Sequence, residues 1–379
     1  MRLAILAETD ATEARVAATP ETVKKFIGLG AEVAIEKGAG VKSGMRDADY
    51  EAAGASIAPN AMAALKDADI VLSVRRPGEA HLQGLKPGAN LVAIMDPYGH
   101  EAALKVIAGA GAQAFAMELM PRITRAQVMD VLSSQANLAG YRAVVDAAGE
   151  YGRAFPMMMT AAGTVPAAKI FIMGVGVAGL QAIATARRMG AIVTATDVRP
   201  ATKEQVESLG AKFLAVEDEE FKQAQTAGGY AKEMSAEYRA KQAELVAAHI
   251  AKQDIVITTA LIPGRPAPML VSAAMVHSMR PGSVIIDLAV ERGGNCELAK
   301  PGATVVVEGV KIVGHLNVAG RLPASASALY ARNLYAFVET LVDKEKKALA
   351  VNYDDELVKA TLLTRDGAVV HPNFMPKAA

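Results

Sequence analysis

The stretch Lys169-Ile170-Phe171-Ile172-Met173-Gly174-Val175-Gly176-Val177-Ala178-Gly179 decides the fold. Lys169–Met173 is rich in β-branched and aromatic side chains and reads as a strand. The glycine motif Gly174-x-Gly176-x-x-Gly179 follows at once, and Leu180–Met189 reads as a helix stopped by Gly190. A bare GxGxxG is a weak signal, but a strand before it and a helix after it are the context its chemistry requires. Gly174 permits the tight turn, Gly176 lets a pyrophosphate approach the backbone, and Gly179 lets helix pack on strand. The phosphates then sit at a helix N-terminus, where free N–H groups and the helix dipole favour anions. The next strand, Ala191–Thr196, ends at Asp197, where an acid hydrogen-bonds the adenosine ribose hydroxyls. A carboxylate there repels a 2′-phosphate, which favours NAD(H) over NADP(H). Arg199, just beyond, is placed to blunt that preference.

Outward from this loop, short β-branched runs alternate with helical stretches, an α/β pattern with parallel sheets. Before it, strands are expected at Leu3–Leu6, Glu32–Glu36, Ile70–Val74, Leu91–Met95 and Ala114–Met117, with a helix over Pro20–Leu29 capped by Thr19 and stopped by Gly30. After it, strands are expected at Ile192–Thr196, Lys212–Val216, Ile255–Thr259, Val284–Leu288 and Lys311–Val313. Asp69-Ile70-Val71-Leu72 echoes Asp254-Ile255-Val256-Ile257, and Leu85-Lys86-Pro87-Gly88 echoes Met279-Arg280-Pro281-Gly282. Two Rossmann-like, doubly wound domains would explain the echo; chance between short strand-and-turn phrases would too. Because the glycine loop begins only at Gly174, the dinucleotide domain is the second. The expected boundaries are 1–133 plus 323–379 for a discontinuous first domain and 134–322 for the NAD(H)-binding domain. A long helical stretch around Ser134–Phe155 carries the chain across, and a second crossing near Pro323–Val338 brings it back. The charged segment Glu217–Lys241, with Ala227-Gly228-Gly229-Tyr230, reads as a mobile surface loop between helical pieces. Met157–Met159 reads as core or interface.

Composition narrows the function. A chain of 379 residues is too long for one ordinary core. Apolar residues at 52% and charged ones at 21% fit a soluble globular protein. Lys+Arg and Asp+Glu number 40 each, and this zero formal charge argues against a nucleic-acid partner. The one cysteine, Cys296, excludes a disulfide scaffold and suits a reducing cytoplasm. It has no Cys or His at ligand spacing, so no metal site is expected. Ser133-Ser134 has no His partner nearby in sequence, which leaves a hydrolase reading little support. The start, MRLAILAETD, meets acid at Glu8 and carries no visible signal peptide. No apolar run approaches the ~20 residues of a membrane span, so work at a membrane would require a partner to hold the chain there.

The run Glu118-Leu119-Met120-Pro121-Arg122-Ile123-Thr124-Arg125-Ala126-Gln127-Val128-Met129-Asp130, continued by Val131-Leu132-Ser133-Ser134-Gln135-Ala136-Asn137-Leu138-Ala139-Gly140-Tyr141-Arg142-Ala143, closely resembles a family signature. The family is the NAD(H)-binding component of proton-translocating nicotinamide nucleotide transhydrogenase. Thr160-Ala161-Ala162-Gly163-Thr164-Val165-Pro166, Thr258-Thr259-Ala260-Leu261-Ile262-Pro263-Gly264 and Gly293-Gly294-Asn295-Cys296 match it too, and the resemblance covers essentially the whole chain. It implies that Arg122, Gln127, Asp130 and Ser133 surround the nicotinamide end. It implies that Gly174, Gly176 and Gly179 take the pyrophosphate with Val177 against the cofactor, and that Asp197, Val198 and Arg199 lie at the adenosine ribose. It further implies that Gly229 and Tyr230 close over bound nucleotide and that Leu261 lies near the ring. The implied enzyme is a Re/Si-specific NAD(P)+ transhydrogenase with NAD(H) on this chain and NADP(H) on a partner subunit. This component is a dimer in the family and occurs either fused to membrane helices or as a separate chain. The chain looks like the separate type, cytoplasmic and peripheral on the inner face of the bacterial inner membrane, with proton-translocating membrane subunits as other chains.

Hydride passing between two nicotinamide C4 atoms moves no proton in that step, so no general acid or base is needed. Bringing the rings to roughly 3–3.5 Å and excluding water are what matter. An amino-acid dehydrogenase must in addition bind a carboxylate and move a proton. Alanine dehydrogenase shares part of these motifs and places a catalytic His after the strand equivalent to Leu91–Met95, where this chain has Asp96-Pro97. His100 comes later and reads as a helix-start surface residue. The dehydrogenase's Lys before a Glu-Pro pair is here Arg75-Arg76-Pro77, and its Asp near the glycine pair is Glu291. Arg15, in Glu13-Ala14-Arg15-Val16-Ala17, matches the dehydrogenase's carboxylate-binding Arg, but transhydrogenases keep that phrase, so it does not discriminate. The alternatives are an alanine-dehydrogenase-like oxidoreductase and a non-catalytic NAD-binding protein.

Overall fold

A computed structural model describes residues 1–223 and 234–375. The chain forms two compact units, Met1–Gln135 with Ala319–Ala379, and Ala136–Val318. The first boundary falls inside the helix Val131–Glu150 and the second just before the helix Pro323–Thr340.

The first unit holds β1 (Arg2–Ile5), β2 (Glu32–Glu36), β3 (Ser56–Ala58), β4 (Ile70–Arg75), β5 (Asn90–Ile94) and β6 (Gln113–Ala116). They make one parallel sheet in the order β3-β2-β1-β4-β5-β6, the doubly wound arrangement. Strand β1 alternates between two cores: Leu3 and Ile5 join Phe26, Tyr50 and Phe337 on one face, while Ala4 and Leu6 join Val71, Leu91 and Leu104 on the other. The helix Pro20–Gly28 starts at a capping box, with Thr19 Oγ1 accepting from the Thr22 amide at 3.3 Å and Thr22 Oγ1 from the Thr19 amide at 2.9 Å.

The second unit opens with an exposed hairpin, β7 (Met158–Thr160) and β8 (Gly163–Val165). Its sheet contains β9 (Lys169–Met173), β10 (Ile192–Thr196), β11 (Lys212–Phe213), β12 (Ile255–Thr258), β13 (Val284–Asp287), β14 (Thr304–Val307) and β15 (Val310–Val313), in the order β11-β10-β9-β12-β13-β15-β14. The core again lies on both faces, Ile170 and Ile172 facing one layer and Phe171 and Met173 the other. One detail departs from the sequence reading. The sheet is not wholly parallel, because β14 runs antiparallel to β15 at the edge. Of the two readings of Met157–Met159, core is excluded and interface stays open: they are 60%, 43% and 74% exposed on and beside the hairpin. Within Glu217–Lys241, helices occupy Glu219–Lys222 and the start of Ala236–Ile250. Gly229 and Tyr230 lie outside the described residues.

The internal echo has a physical meaning. Asp69 precedes β4 and accepts from the Arg2 amide at the start of β1, at 2.7 Å. Asp254 precedes β12 and accepts from the Lys169 amide at the start of β9, at 2.8 Å. Each acid satisfies the first free donor of its central strand and pins the neighbouring strand in register. In the second unit Gly140, on Val131–Glu150, is a further fixed point: a Cβ there would lie 2.1 Å from the Ala178 carbonyl oxygen. Gly140→Ala is therefore expected to lower stability by about 1–3 kcal/mol. The thermal midpoint of the variant is the check, and an unchanged midpoint would show that the two helices separate freely.

Candidate functional site

In the second unit, the order of strands reverses between β9 and β12, and the carboxyl ends of β9, β10 and β12 meet there. Gly174 follows β9 at φ +100°, a conformation that favours glycine, and its carbonyl accepts from Thr259 Oγ1 at 3.0 Å. A Cβ on Gly179 would stand 1.9 Å from that same carbonyl oxygen, so only glycine lets the helix Val177–Arg188 descend onto the strand. At Gly176 an added Cβ would meet nothing within 4 Å: this glycine faces open space. It is also the N-cap and provides no side chain to bond the first-turn amides. Tight turn, open cradle, close helix packing and an uncapped helix start fit a pyrophosphate.

Asp197 stands immediately after β10. Its Oδ2 accepts from the Val175 amide at 2.7 Å and from Arg199 Nη2 at 3.0 Å; its Oδ1 accepts from Arg199 N and Nε, each at 2.9 Å. The carboxylate thus bridges β10 to the glycine loop. Its neighbour Asp197 raises the pKa of Arg199 further, by hydrogen bond first and by charge as well. Val177, Val198 and Leu261 are all exposed apolar side chains of this unit.

The sequence reading missed the group that shapes the loop after β12. Asn295, fully buried, donates through Nδ2 to the Ala260 and Pro268 carbonyls at 2.9 and 2.8 Å and accepts at Oδ1 from the Ala260 amide at 3.0 Å. It closes the segment that carries Leu261. Asp287, also fully buried, ends β13 and accepts from the amides of Ala289, Asn295 and Cys296 at 2.8 to 2.9 Å. Gly293 and Gly294, at φ +98° and +83°, allow the backbone to wrap the carboxylate. An acid ending a strand, with Gly-Gly-Asn shortly after, was the available signal. Cys296 is buried beside it, and burial pushes its thiol up to about 11, an inert state.

In the first unit, Arg122, Gln127, Asp130 and Ser133 occupy one continuous stretch. A surface cleft of about 360 Å³ is lined by Arg122, Ile123, Gln127 and Asp130 among others. Gln127 lies in the 3-10 turn Thr124–Met129, whose Ala126 and Met129 are buried as anchors. Asp130 caps the helix Val131–Glu150: its carboxylate accepts from the Ser133 amide at 2.8 Å and from the Ser133 hydroxyl. Among the described residues no cluster of His, Cys, Asp and Glu is arranged to hold a metal, and no helix is long and apolar enough to cross a membrane.

Comparison with known proteins places this geometry. The alanine dehydrogenase/PNT N-terminal domain model matches residues 4–139 and the alanine dehydrogenase/PNT C-terminal domain model matches residues 143–372. The chain belongs to the alanine dehydrogenase/PNT family. Within that family it is 57% identical, over 100% of both chains, to the polypeptide of Rhodospirillum rubrum that forms the first part of its NAD(P) transhydrogenase subunit alpha. The solved transhydrogenase structure from Sinorhizobium meliloti is 63% identical with a TM-score of 0.90, covering 98% of this chain and 100% of that one. A solved L-alanine dehydrogenase stands further away, at 26% identity and a TM-score of 0.82, covering 99% of this chain and 98% of that one. The chain is accordingly a member of the transhydrogenase alpha subunits, a group of oxidoreductases that act on nicotinamide nucleotides.

The chain holds a second charged network, in the first unit. Arg15 is buried and gripped at both edges: Nε and Nη2 donate to Glu13 at 2.8 and 2.7 Å, and Nη1 to Gln135 Oε1 at 2.8 Å. Arg75 Nε also donates to Glu13, at 2.9 Å. Glu8 accepts from the Val74 and Arg75 amides at 2.6 and 3.2 Å, and burial pushes its carboxyl up to about 7 against those hydrogen bonds. The position expected to bear a catalytic His in a dehydrogenase holds Asp96, while His100 stands at the start of the helix Glu101–Gly109. Glu291 accepts from the Asn317 amide at 3.1 Å.

Asn295→Ala would strand two carbonyls and one amide inside the loop after β12. A loss of about 2–4 kcal/mol is expected. Denaturant unfolding of the full chain checks it, and a loss below about 1 kcal/mol would mean that solvent reaches those groups.

Proposed function

We propose that this chain is the NAD(H)-binding subunit of a proton-translocating transhydrogenase, passing hydride between NADH and NADP+ held by a partner subunit. The observation that carries the reading is the glycine loop with Asp197 drawn onto its Val175 amide, a ribose acid set beside a pyrophosphate cradle. A full-length relative that is named as one portion of a transhydrogenase alpha subunit supports it.

In this reading the nicotinamide rings supply the chemistry, a hydride leaving one C4 for the other with no proton moved. The protein's own groups bind, orient and exclude water. The loop of Gly174, Gly176 and Gly179 takes the pyrophosphate, through the amides of the first turn of the helix Val177–Arg188, with Val177 against the cofactor. Asp197 takes the ribose hydroxyls, with Val198 and Arg199 beside it, and Leu261 lies near the ring. Arg122, Gln127, Asp130 and Ser133 serve the nicotinamide end. The Ser133 hydroxyl donates to Asp130, so its oxygen keeps lone pairs for a carboxamide N–H. The partners are a second copy of this chain, an NADP(H)-binding domain and membrane-spanning subunits that couple hydride transfer to proton movement. The chain then works in the cytoplasm, on the inner face of the bacterial inner membrane.

Mixing the purified chain with the NADP(H)-binding domain of a related transhydrogenase, NADPH and an oxidised NAD analogue tests this. Absorbance of the reduced analogue is expected to rise only when both proteins are present. Turnover of pyruvate, ammonia and NADH by the chain alone would instead support an alanine-dehydrogenase activity. Gln127→Ala is expected to slow the two-protein reaction ~10-fold or more, about 1.4 kcal/mol, while NADH affinity changes far less. Equal losses in rate and affinity would remove Gln127 from hydride transfer.

A further inference from the structure

A chain of hydrogen bonds in the first unit runs in one direction, from a buried guanidinium to the backbone beside Gln127. Arg15 Nη1 donates to Gln135 Oε1 at 2.8 Å, while Glu13 holds Nε and Nη2 of the same arginine. Gln135 Nε2 donates to the Ser134 hydroxyl and to the Ala326 carbonyl, each at 3.2 Å. The Ser134 hydroxyl donates to Asn333 Oδ1 at 2.7 Å, closer than the Val131 carbonyl at 3.3 Å. Asn333 Nδ2 donates to the Val128 carbonyl at 2.8 Å. A guanidinium only donates and a carbonyl only accepts, so both ends force the direction. Each amide and hydroxyl between them then has one orientation that satisfies both neighbours. Asn333 lies on the helix Pro323–Thr340 and is 7% exposed.

The turn at the far end depends on such a tie. Thr124–Met129 is a 3-10 turn, a form whose internal hydrogen bonds are poorly aligned. Its closing bond, from the Asp130 amide to the Gln127 carbonyl, is 3.4 Å long. Gln127 and Val128 are exposed between the buried Ala126 and Met129, which join Tyr330, Leu334 and Phe337 in one core. Apolar anchors set the depth of the turn, but they are non-directional and leave the peptide planes between them free to rotate. The bond from Asn333 to the Val128 carbonyl is directional and fixes the plane that follows Gln127 and Val128. A second tie joins Arg125 to Asp355 and Glu356, and its arginine is 46% exposed. Solvent-exposed ion pairs hold weakly.

We infer that Asn333 is a positioning residue for hydride transfer: it joins the buried Arg15–Gln135–Ser134 chain to the turn that carries Gln127, and so sets where that side chain meets the nicotinamide end. Asn333 acts through Gln127 and not on a nucleotide. Arg15 serves as the fixed end of this chain rather than as a ligand for a substrate carboxylate. The geometry asked of hydride transfer is exacting, and a displacement of about 1 Å costs ~10²-fold in rate. The inference rests on the proposed role of Gln127.

The test uses the full chain in five forms: the native protein, Asn333→Ala, Gln127→Ala, the double variant of these two, and Arg125→Ala. Each is mixed with the NADP(H)-binding domain of a related transhydrogenase, NADPH and an oxidised NAD analogue, and the rate is read at saturating nucleotide. NADH affinity and the thermal midpoint are measured beside it. Asn333→Ala is expected to lower the rate per folded molecule ~10-fold or more, with NADH affinity changed less than ~3-fold. Beside Gln127→Ala the same substitution is expected to cost less than ~3-fold further, because nothing is left to position. Arg125→Ala is expected to keep most of the rate. If Asn333→Ala does not fold, Asn333→Asp takes its place: it keeps the shape but sets an oxygen against the Val128 carbonyl. A lowered thermal midpoint with an unchanged rate would overturn the inference and leave Asn333 a packing residue. Equal rate losses with and without Gln127 would overturn it too, as would a loss from Arg125→Ala as large as that from Asn333→Ala. A native rate in Gln127→Ala would instead fail the proposed role of Gln127, and this inference with it.

Discussion

The second unit depends on an approach too close for any side chain. The Gly174 carbonyl oxygen lies 1.9 Å from where a Cβ at residue 179 would stand. Around that point three strands are tied together. The Gly174 amide donates to the Thr196 carbonyl after β9 meets β10, its carbonyl takes the Thr259 hydroxyl from the end of β12, and the next amide, Val175, takes the Asp197 carboxylate. The helix Val177–Arg188 therefore begins at a height fixed by sterics and at a direction fixed by hydrogen bonds. A residue with a Cβ at 179 would lift its first turn, and the amides that favour an anion would no longer converge.

Buried and half-buried carboxylates do much of the remaining organising, largely by accepting from backbone amides. Asp69 and Asp254 hold strand starts, whereas Glu8, Glu118 and Asp287 hold the chain beyond strand ends. Such a group balances a burial penalty against its amide donors. For Glu8 burial is the larger effect, with the negative charge of Glu13 adding to it, and the carboxyl titrates near neutrality. For Glu13 the two arginines win, and its carboxyl lies below the usual range although burial opposes them. The first unit thus encloses a charged network that is complete in itself. Arg15 has the composition of an anion site, but its donors already have acceptors, which a reading of residue types alone does not reveal.

What was legible in the sequence follows from the kind of physics involved. Strands such as Glu32–Glu36 and Ile192–Thr196 sit where the sequence reading put them, because runs buried on both faces leave a dense apolar signal. The three-residue β3 and the edge strand β14 left none: Ser56–Ala58 is short and half solvated, and Thr304–Val307 is paired on one side only. Met157–Met159 left core and interface both open, since apolar composition does not say whether a hairpin packs within its own chain. At the site, the glycines were legible because each answers a local conformational demand. Asn295 was not, because its partners at Ala260 and Pro268 lie far away in sequence and involve only backbone atoms, which carry no residue identity.

A protein whose reaction belongs to two bound nucleotides has little need of residues that exchange protons. Its selectivity must lie in where it places donors, acceptors and bare backbone. The second unit fits that requirement: its loop residues are glycines, its acid is fixed by an amide and an arginine, and the adjoining segment is clamped by one amide side chain. The carboxyls that burial raises, Glu8 and Glu118, belong to the first unit and hold backbone there. Displaced titration alone would therefore have pointed to carboxyls that organise backbone. Steric exclusion at Gly179 and the fixed orientation of Asp197 are features of another kind, and positioning is what hydride transfer asks of a protein.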